Sequence, residues 1–220
     1  MFITIFNWFV KITGLPVQYF CFHKKIYYED KAVQSRRIKG KAILITNHLS
    51  VYDYPLAMFA FLTRTLRFQM SELVMKKPGL GLFLRMLGGI YVDRSAHDYG
   101  FISKSQKILE KGGLIGICPE GRLPKKGEES PLPFQEGAAY LALTTDTVII
   151  PMATDGCYFD FKKRAHMIIG TPIYPREIVD TSLTDKENIQ KLTRVMREKI
   201  IELGIILHDR TEAESKAFFS

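Results

Sequence analysis

Short apolar, β-rich runs return along this chain at intervals wide enough to hold a helix, and this alternation constrains the fold more than any other feature. The runs are Lys25–Tyr28, Ala42–Thr46, Leu66–Met70, Gly89–Val92, Leu114–Cys118, Val148–Met152 and Met167–Gly170. Helical stretches fall between them, near Pro55–Thr63, Leu80–Leu87, Phe101–Glu110 and Gln135–Thr144. A last helix opens at Thr184 and Glu187, which have capping-box spacing. It continues through Ile189, Leu192, Met196 and Leu203 and is expected to stop at Gly204. Strands alternating with helices specify an α/β domain on a mostly parallel central sheet flanked by helices. A length of 220 residues suits one such domain, and no repeat or low-complexity tract divides it.

The first 22 residues stand apart. Lys11 is their only charge, and Phe2, Phe6, Trp8, Phe9, Tyr19, Phe20 and Phe22 supply an unusual density of rings. The run lacks the basic start and small-residue cleavage site of a signal peptide. Gly14 and Pro16 interrupt it, whereas a bilayer span wants about 20 unbroken apolar residues. Apolar residues occur all round it, which argues against a single core-facing stripe. The expectation is a hairpin of two short helices lying in one leaflet, with residues 1–22 as an interfacial anchor and 23–220 as the main domain. A core helix packed on the rest of the domain is the competing reading.

Charge supports the membrane. The net charge is +8, of which residues 1–48 hold +6 and residues 49–98 the other +2, while the remainder balances. Lys24, Lys25, Lys31, Arg36, Arg37, Lys39 and Lys41 follow the apolar run directly, placed to meet anionic lipid headgroups. Nucleic acid is the other partner such a surface suits, but no nucleic-acid motif accompanies the charge. Cys21, Cys118 and Cys157 are odd in number and share no metal-ligand spacing, so neither disulfides nor a cysteine zinc site is expected. A reducing compartment follows, and with the anchor it suggests a monotopic protein on the cytoplasmic face of the cell membrane.

Four local patterns can carry chemistry. Asn47-His48-Leu49-Ser50-Val51-Tyr52-Asp53 follows an apolar strand, the place where open α/β sheets put their sites. His48 and Asp53 lie five apart, so they meet only if the chain turns between them and Asp53 reaches back from a helix start to the imidazole. Ser50 and Asp53 can equally form a plain capping box, with His48 incidental. Gly88 to Arg94 is a glycine-led strand ending in an arginine that suits either a phosphate or a surface carboxylate. Cys118-Pro119-Glu120-Gly121-Arg122 is a turn beyond another apolar strand, an anion-binding lip or a solvated loop. Val148 to Met152 holds Pro151, which says nothing about function by itself.

Together and in this order, the four patterns resemble those of the PlsC-like glycerolipid acyltransferases, the 1-acylglycerol-3-phosphate acyltransferase family. That family carries an Asn-His pair with an Asp five residues after the His, a glycine-led strand ending in Arg, a Pro-Glu-Gly turn with an Arg, and an apolar strand containing Val-Pro. The resemblance covers about residues 25–175, and Phe134-Gln135-Glu136-Gly137-Ala138 extends it. Three departures stand out. Met70 and Ser71 occupy places where the family has a lysine, Cys118 replaces an aromatic or aliphatic residue, and Arg122 follows Gly121 with no small residue between.

The resemblance implies a glycerol-3-phosphate acyltransferase-like fold and transfer of a fatty acyl group from acyl-CoA or acyl carrier protein to the free hydroxyl of a lysophospholipid. His48 is then the general base and Asp53 its orienting partner. Asn47, Arg94, Glu120, Gly121 and Arg122 form the substrate-binding set, the two arginines on the acceptor's phosphate and Glu120 orienting them or contacting the glycerol. A thioester is already activated, so no metal, nucleotide or redox cofactor is expected. Cys118 as a nucleophile paired with His48, a metal site at His48, Asp53 and His97 or His166, a different acceptor, and a non-catalytic lipid-binding protein remain as alternatives.

Overall fold

The structure, a computed structural model, describes residues 2–93, 100–160 and 164–218. Seven strands, β1 (Lys25–Tyr28), β2 (Ala42–Thr46), β3 (Leu66–Ser71), β4 (Ile90–Val92), β5 (Leu114–Ile117), β6 (Val148–Thr154) and β7 (His166–Ile169), form one sheet in the order β1-β7-β6-β2-β5-β3-β4. Every neighbouring pair is parallel except β6 with β7. Central β2 is buried at all five positions, as a strand covered on both faces must be. Ala42 is level with Leu114 on one side and Val148 on the other.

The helices are α1 (Phe2–Phe22), α2 (Asp53–Ala60), α3 (Glu72–Met75), α4 (Leu80–Leu87), α5 (Gly100–Glu110), α6 (Gly137–Thr144), α7 (Pro175–Ile178) and α8 (Asp185–Phe218). They cover both faces of the sheet. Ala42 and Leu44 join one apolar cluster with residues of α2, α3 and α4, while Ile43 and Ile45 join the other with residues of α5, α6 and α8. The period-2 alternation of strand side chains thus splits β2 between two cores.

Three expectations need correction. Gly204 does not stop the last helix, and α8 runs on to Phe218. Its capping box does form, with Thr184 N donating to Glu187 at 2.8 Å. An exposed glycine inside a helix costs only about 1 kcal/mol, too little to end one that Leu192, Met196, Leu203 and Leu207 already bury.

Residues 2–22 are one helix rather than a hairpin of two. Gly14 is there for close approach, because a Cβ on it would come within 2.8 Å of the Phe59 ring. Pro16 deprives the helix of one donor, but at an exposed position.

Nor is α1 uniformly apolar around its axis. Its buried stripe is Asn7, Lys11, Gln18 and Phe22, while Ile12, Val17 and Phe20 are among many apolar residues facing outward, the last 67% exposed. Lys11 Nζ donates to the carbonyls of Phe61, Leu62 and Arg64 just beyond α2, at 3.2, 3.2 and 2.5 Å. Asn7 Nδ2 donates to Leu87 O at the end of α4, at 3.4 Å. The polar residues of α1 therefore satisfy helix-end carbonyls that would otherwise be orphaned. Burial lowers the Lys11 ammonium to about 8. Among the described residues, no helix is long and apolar enough to cross a membrane.

Candidate active site

Strands β6, β2 and β5 lie side by side and run parallel, so the loops leaving their C-terminal ends share one edge of the sheet. Those loops carry Thr154–Tyr158, Asn47–Asp53 and Cys118–Arg122. Each side chain in the cluster is set by what the neighbouring loop supplies.

The chain turns sharply after β2, and Asp53 arrives as the first residue of α2. Asp53 Oδ2 lies 2.9 Å from His48 Nδ1 and accepts the N–H groups of Leu49 and Ser50, each at 3.0 Å. Asp53 Oδ1 accepts the Tyr158 hydroxyl. The carboxylate is 1% exposed, and four donors plus a helix start compensate its burial. The His48 side chain keeps 23% of its surface. With Nδ1–H given to Asp53, Nε2 is left as an acceptor on the open side of the ring. Such a pair can take a proton from a hydroxyl and hold the imidazolium that results.

Both sequence readings of Ser50 and Asp53 hold in part. Ser50 N donates to Asp53 as half of a capping box, but Ser50 Oγ accepts from Tyr52 N at 3.2 Å, and the same carboxylate oxygen holds His48. The dyad and the helix start are one device.

The expected substrate-binding residues fare differently. Asn47 is buried and exchanges two 2.9 Å hydrogen bonds with the backbone of Thr154, stitching the end of β2 to the end of β6. Its amide is committed to the scaffold rather than to a ligand. Glu120 is 3% exposed, and its hydrogen bonds among the described residues go to His48, Ser130 and Leu132 rather than to Arg122. Its Oε1 accepts His48 N at 2.7 Å and Ser130 Oγ at 3.0 Å, and its Oε2 accepts Leu132 N at 2.7 Å. It fixes the backbone from which the imidazole projects.

Gly121 has φ +71, and its N–H donates to Cys118 O at 3.0 Å, so the turn itself consumes that donor. Arg122 is exposed, and its guanidinium is clamped by Glu128 at 2.5 and 2.9 Å. That pair, led by the Arg122 bond, holds the Glu128 carboxyl down at about 2. With no small residue between Gly121 and the arginine, the side chain is spent within its own loop. Arg94 lies outside the described residues.

Cys118 sits close by, with its Sγ 4.0 Å from Asn47 O. His48, Asp53 and Cys118 offer ligand atoms within 4.8 Å of one another. Burial first, then the charges of Asp53 and Glu120, push the thiol well above its ordinary value. It stays protonated, a poor nucleophile and a poor ligand. Asp53 already accepts four hydrogen bonds, so the trio reads as a packed dyad rather than a cation site.

Tyr158 is the member that sequence reasoning missed. It comes 105 residues after Asp53 in a stretch without a motif, and only the adjacency of β6 to β2 brings it in. Burial, then the Asp53 charge and hydrogen bond, raise its pKa far out of the accessible range, so it remains a donor. Around it lies an aromatic cluster. Phe22 at the end of α1 meets Tyr158 edge-on at 5.8 Å, and the exposed rings of Tyr52 and Phe159 touch at 4.5 Å. Phe159 N donates to Cys21 O. The C-terminal end of α1 thus reaches the loop beside the dyad.

Residues 24–155 match the family model described as Acyltransferase. The chain is 25% identical over 171 residues to the 1-acyl-sn-glycerol-3-phosphate acyltransferase of Borreliella burgdorferi, covering 74% of this chain and 66% of that protein. It is 29% identical over 128 residues to the Bacillus subtilis protein of the same name, covering 56% and 61%. A human relative, 1-acyl-sn-glycerol-3-phosphate acyltransferase beta, is 23% identical over 210 residues, covering 91% and 72%. The chain therefore spans just under two thirds of the length of the two bacterial relatives. Among solved structures, the 1-acyl-sn-glycerophosphate acyltransferase PlsC of Thermotoga maritima superposes with a TM-score of 0.61 at 19% identity, covering 92% of this chain and 79% of that one, which establishes a shared fold.

Proposed function

The chain belongs to the acyltransferase family, and on that premise we propose that it acylates the free hydroxyl of a lysophospholipid, 1-acylglycerol 3-phosphate before others, yielding phosphatidic acid. The donor is an acyl thioester, either acyl-CoA or an acyl carrier protein. The observation that carries this reading is the buried Asp53 carboxylate 2.9 Å from the Nδ1 of a half-open His48 ring. An alcohol is far too weak an acid to ionise beforehand, so His48 Nε2 takes its proton as the oxygen attacks the thioester carbonyl. Asp53 stabilises the imidazolium through Nδ1–H. Collapse of the tetrahedral intermediate breaks the C–S bond, and the imidazolium proton ends on the departing thiolate. No cofactor is needed, because the thioester supplies the activation.

The outward face of α1, together with the exposed Leu80, Leu82 and Phe83 of α4, supports docking in one leaflet of an anionic membrane at its cytoplasmic face. Burial of apolar surface at about 25 cal/mol per Å² would supply the attachment. A second reading, an acceptor with another headgroup, is favoured by the commitment of Arg122 to Glu128.

The test is acyl transfer by the purified full chain in mixed micelles, with a panel of lysophospholipids, followed by thiol release and product mass. His48→Ala should lose roughly 10²–10⁴-fold in kcat while keeping its fold. Activity within about tenfold of wild type would remove the general base from the reading. An unreactive wild-type chain across the whole panel would remove the reaction.

A further inference from the structure

Where α1 ends, the surface holds an open cavity of about 320 Å³ lined chiefly by Gln18, Tyr19, His23, Lys24, Tyr28 and Arg36. No residue of the His48 cluster lines it. Two of its cations, the half-buried Lys24 and the exposed Arg36, share its wall and repel one another. Lys24 Nζ is bonded to the Gln18 side-chain oxygen, and neither Lys24 nor Arg36 pairs with a carboxylate among the described residues. Burial first, then the Arg36 charge, brings the Lys24 ammonium down to about 8. A protein that holds two like charges beside a buried amide gains most from an anion that accepts from all three.

The surroundings say which anion. Tyr19 and Phe20, on the last turns of α1, are 60% and 67% exposed, continuous with the apolar face of the helix. A tyrosine such as Tyr19 settles at headgroup depth while Phe20 suits the apolar side, which would put the mouth of the cavity among lipid phosphates.

We propose that this cavity binds the phosphate of an anionic bilayer lipid, at a site separate from the acyl-transfer centre, and so fixes how the end of α1 lies on the membrane. The inference rests on the reading of α1 as a membrane-facing helix, and the experiment separates the two. Full-length protein is sedimented with phosphatidylcholine vesicles, with and without phosphatidylglycerol. The pair K24Q/R36Q is compared with R37Q/K39Q, which removes equal charge from exposed positions outside the cavity.

A charge near an anionic surface contributes about fivefold to binding, so the control pair should lose roughly 25-fold on anionic vesicles. K24Q/R36Q should lose at least about tenfold more, and the excess should persist in high salt, because the Lys24 ammonium is partly buried and poorly screened. Binding of both pairs to neutral vesicles should match wild type. Equal losses for the two pairs would overturn the site while leaving the docking face intact. Failure of wild type to bind neutral or anionic vesicles would overturn the docking face itself. Displacement from anionic vesicles by inorganic phosphate, at concentrations where sulfate has no effect, would assign the cavity to free phosphate and overturn the lipid.

Discussion

Replacing Tyr158 by Phe removes one hydroxyl and leaves the ring packed against Phe22. Asp53 then keeps His48, Leu49 N and Ser50 N on Oδ2, but Oδ1 loses its donor in a site 1% exposed. A hydrogen bond to a charged group contributes about 1.5–3 kcal/mol, and at this chain length each kcal/mol lost lowers Tm by about 2–4 °C. Part of the loss should appear in stability and part in the dyad. Without Tyr158 drawing charge toward Oδ1, the carboxylate holds the proton on the imidazole more tightly. A general base must be unprotonated, so tighter protonation moves the acid limb of the kcat profile to higher pH, by about 0.5–1 unit if a third to a half of the hydrogen bond's worth is transmitted. At neutral pH kcat should fall by no more than about 3–10-fold, with KM for the acceptor within about twofold. The assay is steady-state thiol release over a pH series, beside a thermal melt. A lowered Tm with an unmoved pH profile would show that Tyr158 only packs, and its positioning role would be withdrawn.

Two further outcomes follow from the same geometry. Cys118→Ser should keep most of the activity, because the thiol is held protonated and takes no part in the proton path; complete loss in a folded protein, read by acyl-enzyme mass, would restore the nucleophile alternative. Arg122→Ala should leave the acceptor's KM within about threefold, since its guanidinium serves Glu128 and lies exposed; a rise of 10–150-fold, the range for a charge-assisted bidentate contact, would mean the loop rearranges to bring it to phosphate.

The strands were legible because each is a short apolar run bounded by turn residues, and β2 is apolar throughout because both its faces are covered. The dyad was legible as spacing at a strand end, and the helix start explains how five intervening bonds of chain close on themselves. Other parts were hidden for a physical reason. Asn47, Glu120 and Gly121 look like ligand contacts in a string of letters, yet Asn47 and Glu120 bond chiefly to backbone groups elsewhere in the chain and the Gly121 N–H closes its own turn. Tyr158 carries no local pattern at all. Which loops meet depends on the strand order, and alternation alone does not specify that order.

Helix α1 shows the same limit from the opposite side. Periodicity analysis assumes that the apolar stripe is the buried one, and here the assumption inverts. Asn7, Lys11 and Gln18 recur at spacings of four and seven residues, which is a helical stripe, but a polar one turned inward. It is turned inward because α2 and α4 end beneath it and their last carbonyls need donors. An ammonium lowered to about 8 by burial is worth placing there because three carbonyls share it. With Asn7, Lys11 and Gln18 turned to the domain, the helix presents outward mostly apolar and aromatic residues, with Thr4 and Thr13 between them. An exposed apolar face of this kind is costly in water, and the proposed docking on a leaflet would relieve that cost. On the proposed reading, the polar stripe of α1 would do two jobs: it ties the helix to the domain, and it would leave the opposite face free for docking on a bilayer.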